Sequence, residues 1–163
     1  MQDLLSQVPL LVGSISTNYY HIIATCNHGW QKAPSSSMCY KKFHQPKNFL
    51  SAEGHCKTKG GHLARICSKA ERDLVHTLAG NDLIWIGLWS GNEDSCHPYK
   101  KSYVWTDGTT GACFDGWDAG QPDCFAARGG QAAISNYEGK KLWHDTGILD
   151  VRPFVCGTPI LGE

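Results

Sequence analysis

The sequence carries no net charge, its 15 Lys and Arg being matched by 15 Asp and Glu. A chain without a basic excess has no overall field with which to recruit nucleic acid or anionic lipid, so neither is expected as a partner. It also lacks a membrane-spanning run. Crossing a bilayer takes about 20 nearly unbroken apolar residues, and Leu4 to Ile15 is too short and is broken by Pro9, Ser6 and Ser14; direct membrane insertion is not expected. The N-terminal stretch Met1 to Thr25 has no basic start and makes a poor signal peptide. No Asn-x-Ser/Thr sequon occurs, so N-glycosylation is not expected. The cysteines form no C-x-x-C pair, which argues against zinc knuckles.

What the chain has instead is eight cysteines scattered from Cys26 to Cys156. An even, dispersed set suits a disulfide framework in an oxidising, secreted or cell-surface setting. With all thiols in bridges, a Cys-His nucleophile is not expected. Asp115, Asp118, Asp123 and Asp145 read as turn caps or solvated loop acids rather than as a paired-carboxylate hydrolase. His144 with Asp123 could take a softer metal such as zinc, but a single loop histidine is usually just solvated. The chain is therefore read as no enzyme. At 163 residues it fits one domain, burying roughly two thirds of its unfolded surface.

Local signals place the elements. Cys26–Trp30 and Met38–Phe43 flank a Pro- and Ser-rich turn and read as a hairpin closed by a Cys26–Cys39 bridge. Asn48 is a helix N-cap, Phe49, Ala52, Cys56 and Leu63 lie on or just beyond the inward face, and Gly60-Gly61 ends the helix. Ser68-Lys69-Ala70-Glu71 is a capping box opening a second helix that turns Leu74, Leu78 and Val75 inward. Ile84–Leu88 is a short apolar run expected as a strand buried on both faces. Tyr103–Thr106 reads as a strand, Asp107-Gly108 as a turn. The long irregular stretch that follows, ending in Gln121-Pro122-Asp123, is of a kind usually functional.

In order along the chain stand Cys56 with Gly60-Gly61-His62-Leu63-Ala64, Trp85-Ile86-Gly87-Leu88, Trp105-Thr106-Asp107-Gly108, Trp117 with Gly120-Gln121-Pro122-Asp123, Trp143-His144-Asp145, and Phe154-Val155-Cys156. On these six elements the sequence resembles a C-type lectin-like domain from Cys26 to Thr158. The resemblance implies an α+β fold of two helices on small antiparallel sheets, a long ligand-binding loop region, and disulfide staples. It divides the chain into an arm or linker (1–25), the domain (26–158) and a tail (159–163). Cys26 and Cys39 place it in the long form of the family. The resemblance pairs Cys56 with Cys156 across about one hundred residues, a closure worth roughly 4 to 5 kcal/mol on chain-entropy grounds. Trp85, Trp105 and Trp117 are expected in the core.

The family's second bridge is missing, because its places hold Gln131 to Ala133 and Gly147-Ile148. Cys113 with Cys124 best replaces that restraint and leaves Cys67 with Cys96. The principal calcium site of the family uses the two side chains flanking a cis proline, a following glutamate, and the Asn and Asp after the tryptophan. Gln121, Asp123 and Asp145 are the calcium ligands this implies. The glutamate place, Arg128 to Gln131, has no acid, and the Asn place is His144, whose nitrogen suits a hard cation poorly.

Gln121, Asp123, His144 and Asp145 are also the residues the resemblance assigns to carbohydrate, with a galactose-type preference. With two of five ligands lost, the reading favours an extracellular recognition or adhesion module that contacts a protein, or works in an assembly, through its long loop and the 1–25 arm. The alternative is a calcium-dependent galactose-type lectin. The apolar patches Leu4-Leu5, Val8–Val12 and Tyr19–Ile23 are expected to pack on a neighbouring chain or continue a preceding domain, making an oligomer possible.

Overall fold

A computed structural model describes residues 25–91, 103–110, 113–125 and 131–160, Gln131 by its backbone only. In chain order the elements are β1 (Gln31–Lys32), β2 (Met38–Lys47), α1 (Phe49–Thr58), β3 (His62–Leu63), α2 (Lys69–Ala79), β4 (Ile84–Trp89), β5 (Val104–Trp105), β6 (Gln131–Ser135), β7 (Trp143–Gly147) and β8 (Arg152–Pro159). The strands run β1-β2-β8-β4-β6-β7, with β3 on β8 and β5 on β4. Between the strands of the described residues the pairing is antiparallel except where β4 meets β8, Trp85 lying parallel to Phe154; an isolated parallel bridge also joins Trp117 to Trp143. The β4–β8 contact joins two small antiparallel sheets and completes the expected α+β architecture. The arm, apart from Thr25, lies outside the described residues, while β8 continues to Pro159 and Ile160 is buried.

Strand alternation explains the two cores. Successive side chains of β4 point to opposite faces: Ile84, Ile86 and Leu88 join Tyr40, Val75 and Ala79 of the α2 side, whereas Trp85 and Trp89 join Phe49, Ala52 and Phe154 of the α1 side. Gly87 is glycine because a Cβ there would sit 2.6 Å from the Leu63 carbonyl oxygen. Trp85, Trp105 and Trp117 are all buried, as expected, and Trp143 joins them.

The helix starts follow the capping signals. Asn48 Oδ1 accepts the Ser51 amide at 2.9 Å, and the Gly60 and Gly61 amides close the end of α1 on Lys57 and Cys56. Ser68 Oγ accepts the Glu71 amide at 3.2 Å. The Glu71 carboxylate, however, reaches one residue further back, to the Cys67 amide at 2.7 Å, and takes the Ser36 hydroxyl at 2.6 Å. The capping acid is thereby buried and ties α2 to the turn between β1 and β2. In α2 it is Val75 that is fully buried; Leu74 and Leu78 pack partly exposed against the same core.

Three expectations need correction. The first hairpin strand is Gln31–Lys32, not Cys26–Trp30, because Asn27 to Trp30 closes a turn in which the Trp30 amide bonds the Asn27 carbonyl. The Cys26–Cys39 and Cys56–Cys156 bridges are present, with Cα separations of 5.6 and 5.4 Å. Cys113, however, pairs with Cys67, not Cys124, at a Cα separation of 4.7 Å, so Cys67 with Cys96 is overturned as well. The reason lies one residue on: Phe114 sits under the Arg72 guanidinium of α2 and edge-on to Trp143, which lays Cys113 against the start of that helix. Cys124 is itself in a disulfide, and its partner lies outside the described residues. Where the family bridge is missing, Ala132 and Ile148 are buried together in the α1-side core, and the Ile148 carbonyl accepts the Phe49 amide at 3.1 Å.

Candidate functional site

Residues 113–125 line the open edge of β7. The Gly116 carbonyl accepts the Trp143 amide at 2.8 Å, and the Trp143 carbonyl accepts the Asp118 amide at 3.1 Å. Gly116 lies flat on the Trp143 indole, leaving no room for a side chain. Beyond this anchor the chain turns, the Gln121 amide bonding the Asp118 carbonyl, and passes through a cis Gln121–Pro122 bond. Asp145, on β7, then receives the tip of the loop.

The structure brings Gln121, Asp123, His144 and Asp145 to one shallow groove of about 180 Å³, which Phe125, Tyr137 and Arg152 also line. Asp145 Oδ1 accepts the Asp123 amide at 2.8 Å, and Oδ2 the Cys124 amide at 3.1 Å. The Tyr103 hydroxyl interacts with the same carboxylate. Burial pushes the Asp145 carboxyl up, the two loop amides pull it down, and the nearby Asp123 charge adds to the rise. Burial, with the Asp145 charge, also pushes the Tyr103 hydroxyl above its ordinary range.

The two flanking side chains are paired with each other. Gln121 Nε2 donates to Asp123 Oδ2 at 2.7 Å, while Gln121 Oε1 accepts the Asp145 amide at 3.3 Å and Asp123 Oδ1 accepts the Phe125 amide at 2.9 Å. His144 stands apart from this knot. Its ring stacks on Tyr137 at 4.2 Å, and its Nε2 lies 3.2 Å from Asp118 Oδ2. The Ala119 amide, with help from His144 and Lys140, holds the Asp118 carboxyl below its usual range.

A calcium ion needs six to eight oxygen ligands. The arrangement does not fit one. Both Asp145 oxygens and the Gln121 and Asp123 oxygens face donors of this chain, and the Asn place presents an imidazole engaged with Asp118. Among the described residues, no group of three or more His, Cys, Asp or Glu side chains is placed to hold a metal. The stretch 128–130 at the glutamate place lies outside the described residues.

Sequence reasoning missed Phe125 and Tyr137, and it read Asp118 only as a loop acid and Tyr103 only as a strand residue. Phe125 is 94% exposed, and a lone aromatic beside a cysteine gives no pattern by which to tell a contact residue from a core one. Tyr137 reaches His144 through a short turn after β6, and only the register of β6 on β7 brings the two rings together.

The family model described as "Lectin C-type domain" matches residues 45–158. C-type lectin BML-1 of Bungarus multicinctus is 32% identical over 141 residues, 81% of this chain and 82% of its own. A C-type lectin galactose-binding isoform of Pseudechis porphyriacus is 32% identical over 162 residues, 94% of this chain and 95% of its own. Among solved structures, a calcium-independent type II antifreeze protein superposes with a TM-score of 0.71 at 22% identity, covering 87% of this chain and all of that one.

Proposed function

The chain belongs to the C-type lectin domain family, and from that premise we propose that it is a non-enzymatic, calcium-independent recognition module of the extracellular space. Its contact surface is the groove between the 121–125 segment and β7. One observation carries the reading: the Asp145 carboxylate accepts the amides of Asp123 and Cys124, so a side chain of β7 holds the loop where the family uses an ion. The fold itself is compatible with such work, since a calcium-independent antifreeze protein shares it.

A protein partner suits the groove. Phe125 stands exposed beside the Tyr137–His144 stack, with internally bonded polar groups around them. Exposed aromatics within a polar surround are the anatomy of a binding hot spot. The reading takes 26–158 as the recognition domain and gives 1–25 a role in assembly, in keeping with its apolar patches. Disulfides at Cys26, Cys39, Cys56, Cys67, Cys113 and Cys156 favour a secreted or cell-surface setting.

A second reading, a calcium-dependent galactose-type lectin, draws on Gln121-Pro122-Asp123 and on the galactose-binding relative. Calorimetric titration of calcium into the folded chain, with chromatography on immobilised galactose, separates the two. The proposed reading expects no binding tighter than about 1 mM, the weak end of extracellular calcium modules, and no retention on the column. Micromolar calcium binding with elution by chelator would establish the lectin instead.

A further inference from the structure

Overall neutrality conceals a strong local imbalance. Residues 25–62 hold six of the 15 basic residues but one acid, Glu53. That acid is buried, its carboxylate taking the Leu63 amide and His62 Nδ1, with Lys57 Nζ at 3.5 Å. Lys42 is likewise spent on Asp82 and the Ala79 carbonyl. Lys32, Lys41, Lys47 and Lys59 have no carboxylate partner among the described residues.

Strand register gathers these charges on one face. Lys32 lies opposite Cys39 across the β1–β2 ladder, and alternation puts Trp30 and Lys32 on the same side as Cys39, Lys41 and Phe43. The Trp30–Phe43 ring contact at 6.2 Å and the Phe43–His55 contact at 4.6 Å show that this is the side that carries α1. Lys41 Nζ hangs 5.9 Å from the Phe43 ring centre. Lys47 ends β2 one residue before the Asn48 cap of α1, and Lys59 is the C-cap of the same helix, one turn on from His55, so both flank the α1 side of the strip. The result is a strip in which unpaired ammonium groups alternate with partly exposed aromatic faces, at the β1–β2 edge of the sheet and remote from β7.

We propose that this strip, Lys32–Trp30–Lys41–His55–Lys59 with Lys47 at its flank, binds a sulfated polysaccharide chain. A single small anion would need a concave, enclosed site; a line of exposed lysines suits a linear polyanion. Lysines within about one Debye length, roughly 8 Å at physiological salt, act on it together. Trp30 and Phe43 add apolar faces for sugar rings, which a purely electrostatic patch lacks. The acidic loop of a second copy is a weaker fit, because Asp107 and Asp118 are already paired with Arg65 and with His144 and Lys140. The inference is independent of the β7 groove.

The test uses the full chain and heparin. The wild-type protein is expected to be retained on immobilised heparin at about 0.15 M salt and to elute at higher salt. The Lys32→Ser/Lys41→Ser/Lys59→Ser variant should lose at least tenfold in affinity, whereas Lys69→Ser/Lys141→Ser, on other elements, should elute with the wild type. Trp30→Ala should weaken heparin binding at unchanged circular dichroism. Flow-through of the wild type would overturn the proposal, and so would co-elution of the triple variant. Equal retention on fully desulfated heparin would do the same, as would equal affinity for duplex DNA, which would reduce the strip to generic attraction for phosphate.

Discussion

The Asp123 amide donates a 2.8 Å hydrogen bond to Oδ1 of Asp145, 22 residues away on β7. With the Cys124 amide on Oδ2, this bond makes a buried carboxylate the clasp of the loop. Asp145→Asn presents an amide group where an acceptor is needed and leaves one loop amide unanswered. The expected cost is about 1 to 3 kcal/mol, concentrated in the loop. Hydrogen exchange should show the Asp123 and Cys124 amides losing protection while those of β4 keep theirs; uniform loss across the domain would mean that Asp145 serves the core instead.

The residue order makes the scaffold legible and the clasp not. Asn48, Ser68 with Glu71, and the run Ile84–Leu88 act within a turn or a strand of themselves, so their physics is readable locally. Cys67 and Cys113 stand 46 residues apart, and nothing local to either names the other; the deciding contact is Phe114 on Arg72 and Trp143. The same holds for the site. Gln121, Asp123, His144 and Asp145 were legible as neighbours of one groove, but that their oxygens face donors of the same chain depends on three-dimensional contacts between the loop and β7. The lysine strip was hidden for a further reason: net charge averages over a chain, whereas register sorts it by face.

The disulfide correction is directly checkable. Non-reducing peptide mapping should yield Cys67 joined to Cys113. Replacing Cys67 and Cys113 with serine removes a closure of 46 residues, for which chain entropy gives about 4 kcal/mol. A Cys113–Cys124 peptide would overturn the described placement of the loop.

Gly147-Ile148 stand where the resemblance puts a family cysteine, and Ile148 is 4% exposed. Ile148→Ala should cost about 2 to 5 kcal/mol, as buried isoleucines do. Denaturant midpoints measure it. A loss under 1 kcal/mol would show that Ala132 and Ile148 do not carry the restraint of the missing bridge.

Burial, followed by the charges of Lys59 and Lys47, holds the His55 imidazole below its ordinary pKa, and burial does the same for His76. The folded state therefore takes up these protons at lower pH than the unfolded chain. Their contribution to stability is whole above the unfolded value of about 6.5 and declines as pH falls below it toward the folded value. Urea midpoints should drop between pH 7.5 and 5.5. His55→Phe, which keeps the edge contacts to Phe43 and Phe154, should flatten that drop; an unchanged pH profile would remove His55 from the account.

The antiparallel ladder of β2 on β8 begins with Met38 against Pro159 and runs inward through Cys39–Thr158 and Tyr40–Gly157. The Cys26–Cys39 bridge ties the start of the described domain to this same end of the ladder, so a load applied between the two ends would open it like a zipper from Cys39–Thr158 inward, one pair at a time. Such geometry yields at low force. At Lys41–Cys156 the opening meets the covalent link from Cys56 to Cys156, which transfers the load to α1 and ends the easy extension. Under tension the domain is therefore a short give followed by a hard stop, and reducing agent is what removes the stop.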